Sequence, residues 1–403
     1  MAETFVIVGA GHAGAHAACT LRNHGFRGRV ILIGDESLAP YQRPPLSKKF
    51  LEHAVSVERL LLRPIAFYEK CNIELRLHAP VERIDRDARR VHLRGGARIA
   101  YDKLLLCTGS RPRPLDLPGS QLADVHYLRT LQDAMRLRGK LGPGRRLAVI
   151  GGGYIGLEVA ATAVAMGAAV TVFEAADRVL NRVTTPAVSG FFATTHQRRG
   201  VEIRCGARVL GFDGDERLEA VRCDGALVKA DLALVGIGAM PNVDLARVAG
   251  LPCADGIVVD EGCATADANI FAAGDCTSHP NALLKRRLRL ESVQNAVDQA
   301  QVAALNMCGE DRVYAEIPWF WSQQYEFKMQ SAGTLDGFDE IEERGSLSEG
   351  SFALLYRKNK ALIAVDAVNL PREYMAARKQ MSEEAVRPAA SDGGSARLAR
   401  QAG

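Results

Sequence analysis

Short unbroken apolar runs recur along this chain, and most are followed within a few residues by glycine and then by a stretch with helical spacing. TFVIV at 4–8 leads into Gly9, Gly11 and Gly14 and then AHAACTLRNHG (15–25). RRLAVI at 145–150 leads into Gly151, Gly153 and Gly156 and then LEVAATAVAMG (157–167). A run with no polar alternation marks a strand buried on both faces, as in a parallel sheet, and the helical stretch after it predicts a βαβ unit. Each unit continues into a second such run that ends in acid: RVILIGDE (29–36) and AAVTVFEA (168–175). Further runs, YDKLLLCTGSRPR (101–113), ADLALVGIGAMPN (230–242) and TADANIFAAGDC (265–276), predict additional parallel strands. Past residue 318 the pattern changes. WFWSQQY (319–325) predicts a strand with Trp319 and Trp321 on one face, and SFALLYRKNKALIAVDAVN (351–369) predicts a hairpin.

The glycine spacing carries chemistry. In a strand–loop–helix unit the first glycine allows a tight turn and the second lets the backbone approach a pyrophosphate. The third lets helix and strand pack closely, and the helix N-terminus favours the phosphate charge. A lone GxGxxG is weak evidence, but here both copies have the strand, the helix, the second strand and the acid. The expected contacts of the first copy are Gly9, Gly11, His12, Ala13 and Gly14, with Asp35 and Glu36 placed to accept ribose hydroxyls. Those of the second are Gly151, Gly153, Tyr154, Ile155 and Gly156, with Gly238 on a later strand. Glu174 would bond a 2′-hydroxyl and repel a 2′-phosphate, and no arginine cluster follows it directly, so NAD is expected rather than NADP. Two loops imply two dinucleotides, a bound flavin and a visiting nicotinamide.

Composition narrows the class. The chain has 403 residues, room for two or three domains, and 47% apolar residues against 24% charged. A formal charge of +4 with no basic stripe interleaved with aromatics gives no ground for nucleic-acid binding. No apolar run has the length to cross a bilayer, and no secretory signal is expected, so a cytoplasmic protein is predicted. Nine cysteines, an odd number without a CxxC pair, predict neither a disulfide scaffold nor a metal site.

The order of these segments resembles the glutathione-reductase-like FAD/NAD(P) oxidoreductases over about the first 315 residues. That resemblance implies an α/β fold with two Rossmann-like dinucleotide-binding domains plus a C-terminal α+β domain. The FAD domain would span 1–112 and 243–317, the NAD domain 113–242 and the C-terminal domain 318–381, with 382–403 a flexible tail. Thr108 and Gly109 would mark the exit from the FAD domain, and Gly274-Asp275 would bring an aspartate to the ribityl chain.

Members of that superfamily differ in what stands beside the flavin. Disulfide reductases carry a CxxxxC pair there, and NADH oxidases and peroxidases a single cysteine. This chain has YQRPPLSKKFL (41–51) and no cysteine between Cys19 and Cys71, so a thiol relay lacks its nucleophile. RPPLSK, LRTLQDA (128–134), RLESVQNAVDQA (289–300) and IPWFWSQQYEFKMQ (317–330) together resemble the NADH-dependent ferredoxin reductases of multicomponent oxygenases. Redox-sensing flavoproteins of the apoptosis-inducing-factor type share PPLSK. No organelle-targeting segment and no long C-terminal insertion is read in this sequence to favour them.

The ferredoxin-reductase resemblance implies FAD contacts at Ala13, Asp35, Arg43, Lys48, Val81, Arg129, Asp275 and Val293. It implies a reaction in which hydride passes from NADH to FAD and single electrons leave for a [2Fe-2S] ferredoxin, feeding a Rieske dioxygenase or a cytochrome P450. Catalytic roles fall to Lys48 and Glu158, expected to pair beside the flavin and nicotinamide, and to Trp321, expected on the electron's way out. Arg129 would set its planar fork on a phosphate. Lys285, Arg286, Arg287 and Arg289 form a basic run that either steers an acidic ferredoxin or is an ordinary solvated hairpin. Gln323 replaces the acid usual at that position, which would remove a charge near the flavin or the docking face.

Overall fold

The computed structural model describes residues 2–282 and 284–386. Two of its sheets repeat one plan. In the first, the strand order is Ile270–Ala272, Lys103–Leu106, Thr4–Val8, Arg29–Ile33, Ile73–Arg76, all parallel. In the second it is Glu202–Cys205, Ala169–Glu174, Arg146–Ile150, Leu232–Val235, Val125–His126, again all parallel. The strand before each glycine loop lies at the centre of its sheet, where both faces are covered. That burial is why FVIV and LAVI contain no polar residue.

Both helices begin earlier than the apolar spacing suggested, at His12 and Tyr154, so that Gly11 and Gly153 become their extended N-caps. His12 is therefore the first helical residue, not a loop residue. The reason is that each loop turns directly into a helix whose free N–H groups face the cavity, with no residues spared for a wider connection.

The chain crosses between the two parallel sheets twice, and the crossings pair with each other. Ser110–Pro112 runs antiparallel to Ala239–Pro241. The Asn242 amide donates to the Thr108 carbonyl at 2.8 Å, and the Thr108 hydroxyl donates to the Asn242 carbonyl at 2.6 Å. A third five-stranded sheet is antiparallel, ordered Trp319–Gln324, Phe327–Gly333, Ala361–Val368, Ser351–Lys358, Glu340–Ser346. Helix Pro371–Val386 covers one face through Tyr374, Ala377 and Met381. It extends beyond residue 382, where a tail was expected to start; residues 387–403 lie outside the described residues. The other face of this sheet joins the core of the second unit, where Tyr356, Phe352 and Met329 pack with Val188, Phe192 and Leu157.

Candidate active site

Both glycine loops open onto one cavity of about 1720 Å³, walled by the first and second units and by the strand Trp319–Gln324. Single-ligand pockets are commonly about 300–1000 Å³, so this space suits two large ligands. The loops show why glycine is required. A Cβ on Gly9 would sit 2.0 Å from the Cys107 carbonyl oxygen, and one on Gly151 would sit 2.5 Å from that of Gly236. A Cβ on Gly11 or Gly153 would meet nothing within 4 Å. The backbone there faces open space, as contact with a pyrophosphate demands.

Around the first loop, Gly9, Gly11, His12, Ala13, Asp35, Glu36, Arg43, Thr108, Gly109, Arg129, Asp275 and Val293 all line the cavity. Their carboxylates and guanidiniums are tied to one another. Arg43 donates to Glu36 at 2.7 Å, to the Tyr41 hydroxyl at 3.0 Å and to the Arg129 carbonyl at 2.8 Å. Tyr41 in turn donates to Glu36 at 2.7 Å. Glu36 is thus held within the protein, while Asp35 beside it stays exposed. Arg129 donates to Asp275 at 3.0 Å, and the Ser110 hydroxyl donates to the same oxygen at 2.9 Å. Burial, reinforced by the Arg43 guanidinium, drives the His12 imidazole down to about 4. At neutral pH it therefore brings no charge to a phosphate. Gly14 and Val81 do not reach the cavity: Gly14 lies against the Gly9 carbonyl, and Val81 packs among the apolar residues around Ile84 and Val91.

Around the second loop, Gly151, Gly153, Tyr154, Ile155, Glu158, Glu174 and Gly238 line the same cavity, and Gly156 packs behind it on Val149. Both Glu174 oxygens are engaged by main chain, from Gly152 N at 2.7 Å and Ala176 N at 2.8 Å. Such bonding fixes the carboxylate at the end of its strand, where it opposes added negative charge.

Where the two halves meet, Lys48 Nζ lies 2.5 Å from Glu158 Oε2. Glu158, in the second turn of its helix, is 2% exposed. It also accepts from the Ser47 hydroxyl at 2.6 Å and, on its other oxygen, from Ser322 at 2.7 Å. Two distant chain segments, the Ser47–Lys48 turn and the strand bearing Ser322, converge on one carboxylate. The Thr162 hydroxyl donates to the Ser47 carbonyl at 3.0 Å and ties the same turn to the helix. Trp321 lines the cavity within a row of rings: Tyr154 to Phe320 at 4.7 Å, Phe320 to Trp321 at 6.3 Å, Trp321 to Trp319 at 5.8 Å between centroids. Trp319 also lines the cavity, so it is more than packing for the last sheet.

The basic run is a hairpin strand, Arg286–Leu288 against Thr277–Asn281. Arg286 pairs with Asp336, Arg289 with Asp255 and Glu291, and Arg287 donates to the Val259 and Ser278 carbonyls. Among the described residues only Lys285 of the four has no such partner. Replacing Arg286 or Arg289 by glutamine should therefore change the rate of ferredoxin reduction by no more than about twofold, since partly neutralised surface charges act weakly. A loss of tenfold or more at low salt would assign steering to this hairpin. Gln323 is exposed and off the cavity, between buried Ser322 and Gln324. A charge at that position would therefore lie off the cavity.

Sequence reading missed Ser47, Ser322, Tyr41 and Ser110. Their only signal was adjacency: each is within two residues of a motif residue, but nothing local says that it donates to Glu158, Glu36 or Asp275.

Residues 3–300 match the family described as pyridine nucleotide-disulphide oxidoreductase, and 319–396 match the one described as reductase C-terminal. Rhodocoxin reductase of Rhodococcus erythropolis is 46% identical over 94% of this chain and 90% of its own. Putidaredoxin reductase of Pseudomonas putida is 43% identical over 92% and 90%. The crystal structure of the covalent putidaredoxin reductase–putidaredoxin complex superposes with a TM-score of 0.92, at 42% identity, over 94% of this chain and 93% of that one. With two dinucleotide loops on one cavity and no cysteine pair in the RPPLSK turn, the chain belongs to the pyridine nucleotide-disulphide oxidoreductase family, in its ferredoxin reductase branch.

Proposed function

We propose that this protein is an FAD-dependent NADH:ferredoxin oxidoreductase whose hydride and electron path runs past Lys48, Glu158 and Trp321. The observation that carries the reading is the single cavity joining both glycine loops. Its FAD-binding part is residues 1–112 and 243–317, its NAD-binding part 113–242, and its C-terminal part follows from 318. FAD supplies what the two reactants lack between them, a centre that takes electrons in a pair and releases them one at a time.

The protein's own residues bind, orient and screen. Gly9 and Gly11 admit one pyrophosphate, Gly151 and Gly153 the other, and Asp35 and Glu174 take the adenosine riboses. Asp275, held by Ser110 and Arg129, presents a fixed carboxylate to the ribityl hydroxyls. Lys48 would hold a positive charge toward the bound flavin, and Glu158, with Ser47 and Ser322, stops the ammonium from swinging away. Trp321 walls the side toward the partner. No protein nucleophile or general base takes part.

Among the described residues no helix is long and apolar enough to cross a membrane. Nine unpaired cysteines support a reducing, cytoplasmic setting. The partner is a [2Fe-2S] ferredoxin, and the electrons reach a Rieske dioxygenase or a cytochrome P450 of an oxygenase system, as in aromatic hydrocarbon catabolism.

The test is turnover. Purified protein should be yellow and should reduce a [2Fe-2S] ferredoxin rapidly with NADH. Alkylating the accessible thiols of the native protein should leave that rate within about twofold, because a reaction without a thiolate nucleophile has nothing to lose. A colourless protein, or electron delivery abolished by alkylation while both dinucleotides still bind, would overturn the proposal.

A further inference from the structure

The site leaves one buried carboxyl unused. Asp366, on the strand Ala361–Val368, is 2% exposed and lines the cavity on the C-terminal side. It accepts from the Thr184 hydroxyl at 2.5 Å and from the Tyr356 hydroxyl at 3.0 Å, and Thr185 lies 3.0 Å from the same tyrosine oxygen. Thr184 and Thr185 end a short strap, Leu180–Thr185, between the acid-bearing strand of the NAD-binding unit and its next helix.

The strap is held at both ends and is exposed between them. At its start Leu180 donates its N–H to the Gly152 carbonyl at 2.9 Å, the glycine loop itself, and takes a φ of +54°. A leucine in that conformation persists only where its surroundings over-determine it. At its end stands Asp366, 182 residues further along the chain. Between them Asn181, Arg182 and Val183 line the cavity. A Cβ on Gly238 would lie 3.5 Å from Arg182 Nη2, which sets that guanidinium across the nicotinamide-nucleotide half.

We propose that Asp366 is a positioning residue for the nicotinamide dinucleotide, acting from the C-terminal sheet through Thr184 to hold the Leu180–Thr185 strap, and with it Arg182, against the bound phosphates. The inference rests on assigning the Gly151–Gly156 loop to NAD. Two details of chemistry agree with it. Arg182 is the strap's only cation, and the pyrophosphate it would face is anionic. Burial raises the Asp366 carboxyl above the usual carboxylate range. Both hydroxyls donate to its Oδ2, an acceptor's task that an asparagine carbonyl can also perform.

Calorimetric titration of the FAD-loaded protein with NAD+ tests this. Asp366→Ala and Thr184→Val should each raise the Kd by about tenfold, the loss of one buried hydrogen bond expressed as affinity. Asp366→Asn should stay within about twofold. The KM for NADH should rise in parallel, with kcat at saturating NADH and flavin content unchanged. Arg182→Gln should weaken binding as well, and adding Thr184→Val to it should cause little further loss, because both act through one contact. Wild-type affinity in Thr184→Val, full additivity with Arg182→Gln, or an Asp366→Asn as weak as Asp366→Ala would overturn the proposal. Should Asp366→Ala fail to retain flavin, Thr184→Val decides alone. A wild-type protein that gives no NAD+ isotherm would sink the loop assignment instead, which is a separate result.

Discussion

Replacing Lys48 by methionine should slow reduction of the flavin by NADH by at least about 100-fold, the usual consequence of removing one preorganised charge at a reacting centre. Lys48 Nζ sits 2.5 Å from Glu158, whose side chain is 2% exposed, so the substitution also strands a buried negative charge. Breaking a buried pair from one side costs about 3–5 kcal/mol, and the lower end applies because Lys48 keeps 17% exposure and Glu158 keeps two serine donors. The two consequences separate in a double variant. Lys48→Met with Glu158→Gln should recover most of the lost unfolding midpoint, since no charge is left unpaired, while reduction stays slow. Stopped-flow reduction of Lys48→Met at the wild-type rate would refute the electrostatic role. Recovery of the rate along with the stability in the double variant would reduce the pair to a structural link.

Alanine at Gly9 and at Gly151 should split the activity into its two halves. At Gly9 a methyl group would meet the Cys107 carbonyl at 2.0 Å with φ at +114°, and at Gly151 the Gly236 carbonyl at 2.5 Å with φ at +105°. In both cases the obstacle is main chain at the end of the parallel strand beside the central one, which has no room to give. A disfavoured φ and an overpacked contact each cost about 1–3 kcal/mol. Gly9→Ala should purify without FAD absorbance. Gly151→Ala should purify yellow and pass electrons from a chemical reductant to ferredoxin, yet require at least about 100-fold more NADH for half-reduction. Loss of flavin from Gly151→Ala with retention in Gly9→Ala would reverse the assignment of the loops. Equal loss in both would mean that the cavity has no such division.

Several site residues were legible because local rules determine them. A chain that must bring its backbone to a pyrophosphate needs glycine at the turn and at the approach, whatever surrounds it, so Gly9, Gly11, Gly151 and Gly153 announce themselves. Glu174 follows from being last on its strand. The absence of any cysteine between 19 and 71 removed the thiol relay without a structure. Other expectations met competing partners. Arg129, expected as a phosphate fork, lines the cavity and also forms an ion pair with Asp275. For the basic run a steering surface and a solvated hairpin are both open in the sequence, and its three arginines are bound to carboxylates or main-chain carbonyls of their own protein.

What the sequence determined alone was the pair of βαβ units, their glycine loops, their terminal acids and the change to antiparallel pairing after residue 318. Each arises from strand burial or the sign of φ, properties a segment carries with it. The resemblance already paired Lys48 with Glu158; only the folded chain decided that Glu158 would also gather Ser47 and Ser322, or that Asp366 would reach Thr184. Those further partners are 111, 164 and 182 residues apart. They meet because three sheets close around one cavity and a buried carboxylate must find donors there. Which donors it finds depends on how the sheets dock, and the residues flanking Glu158 or Asp366 carry no trace of that.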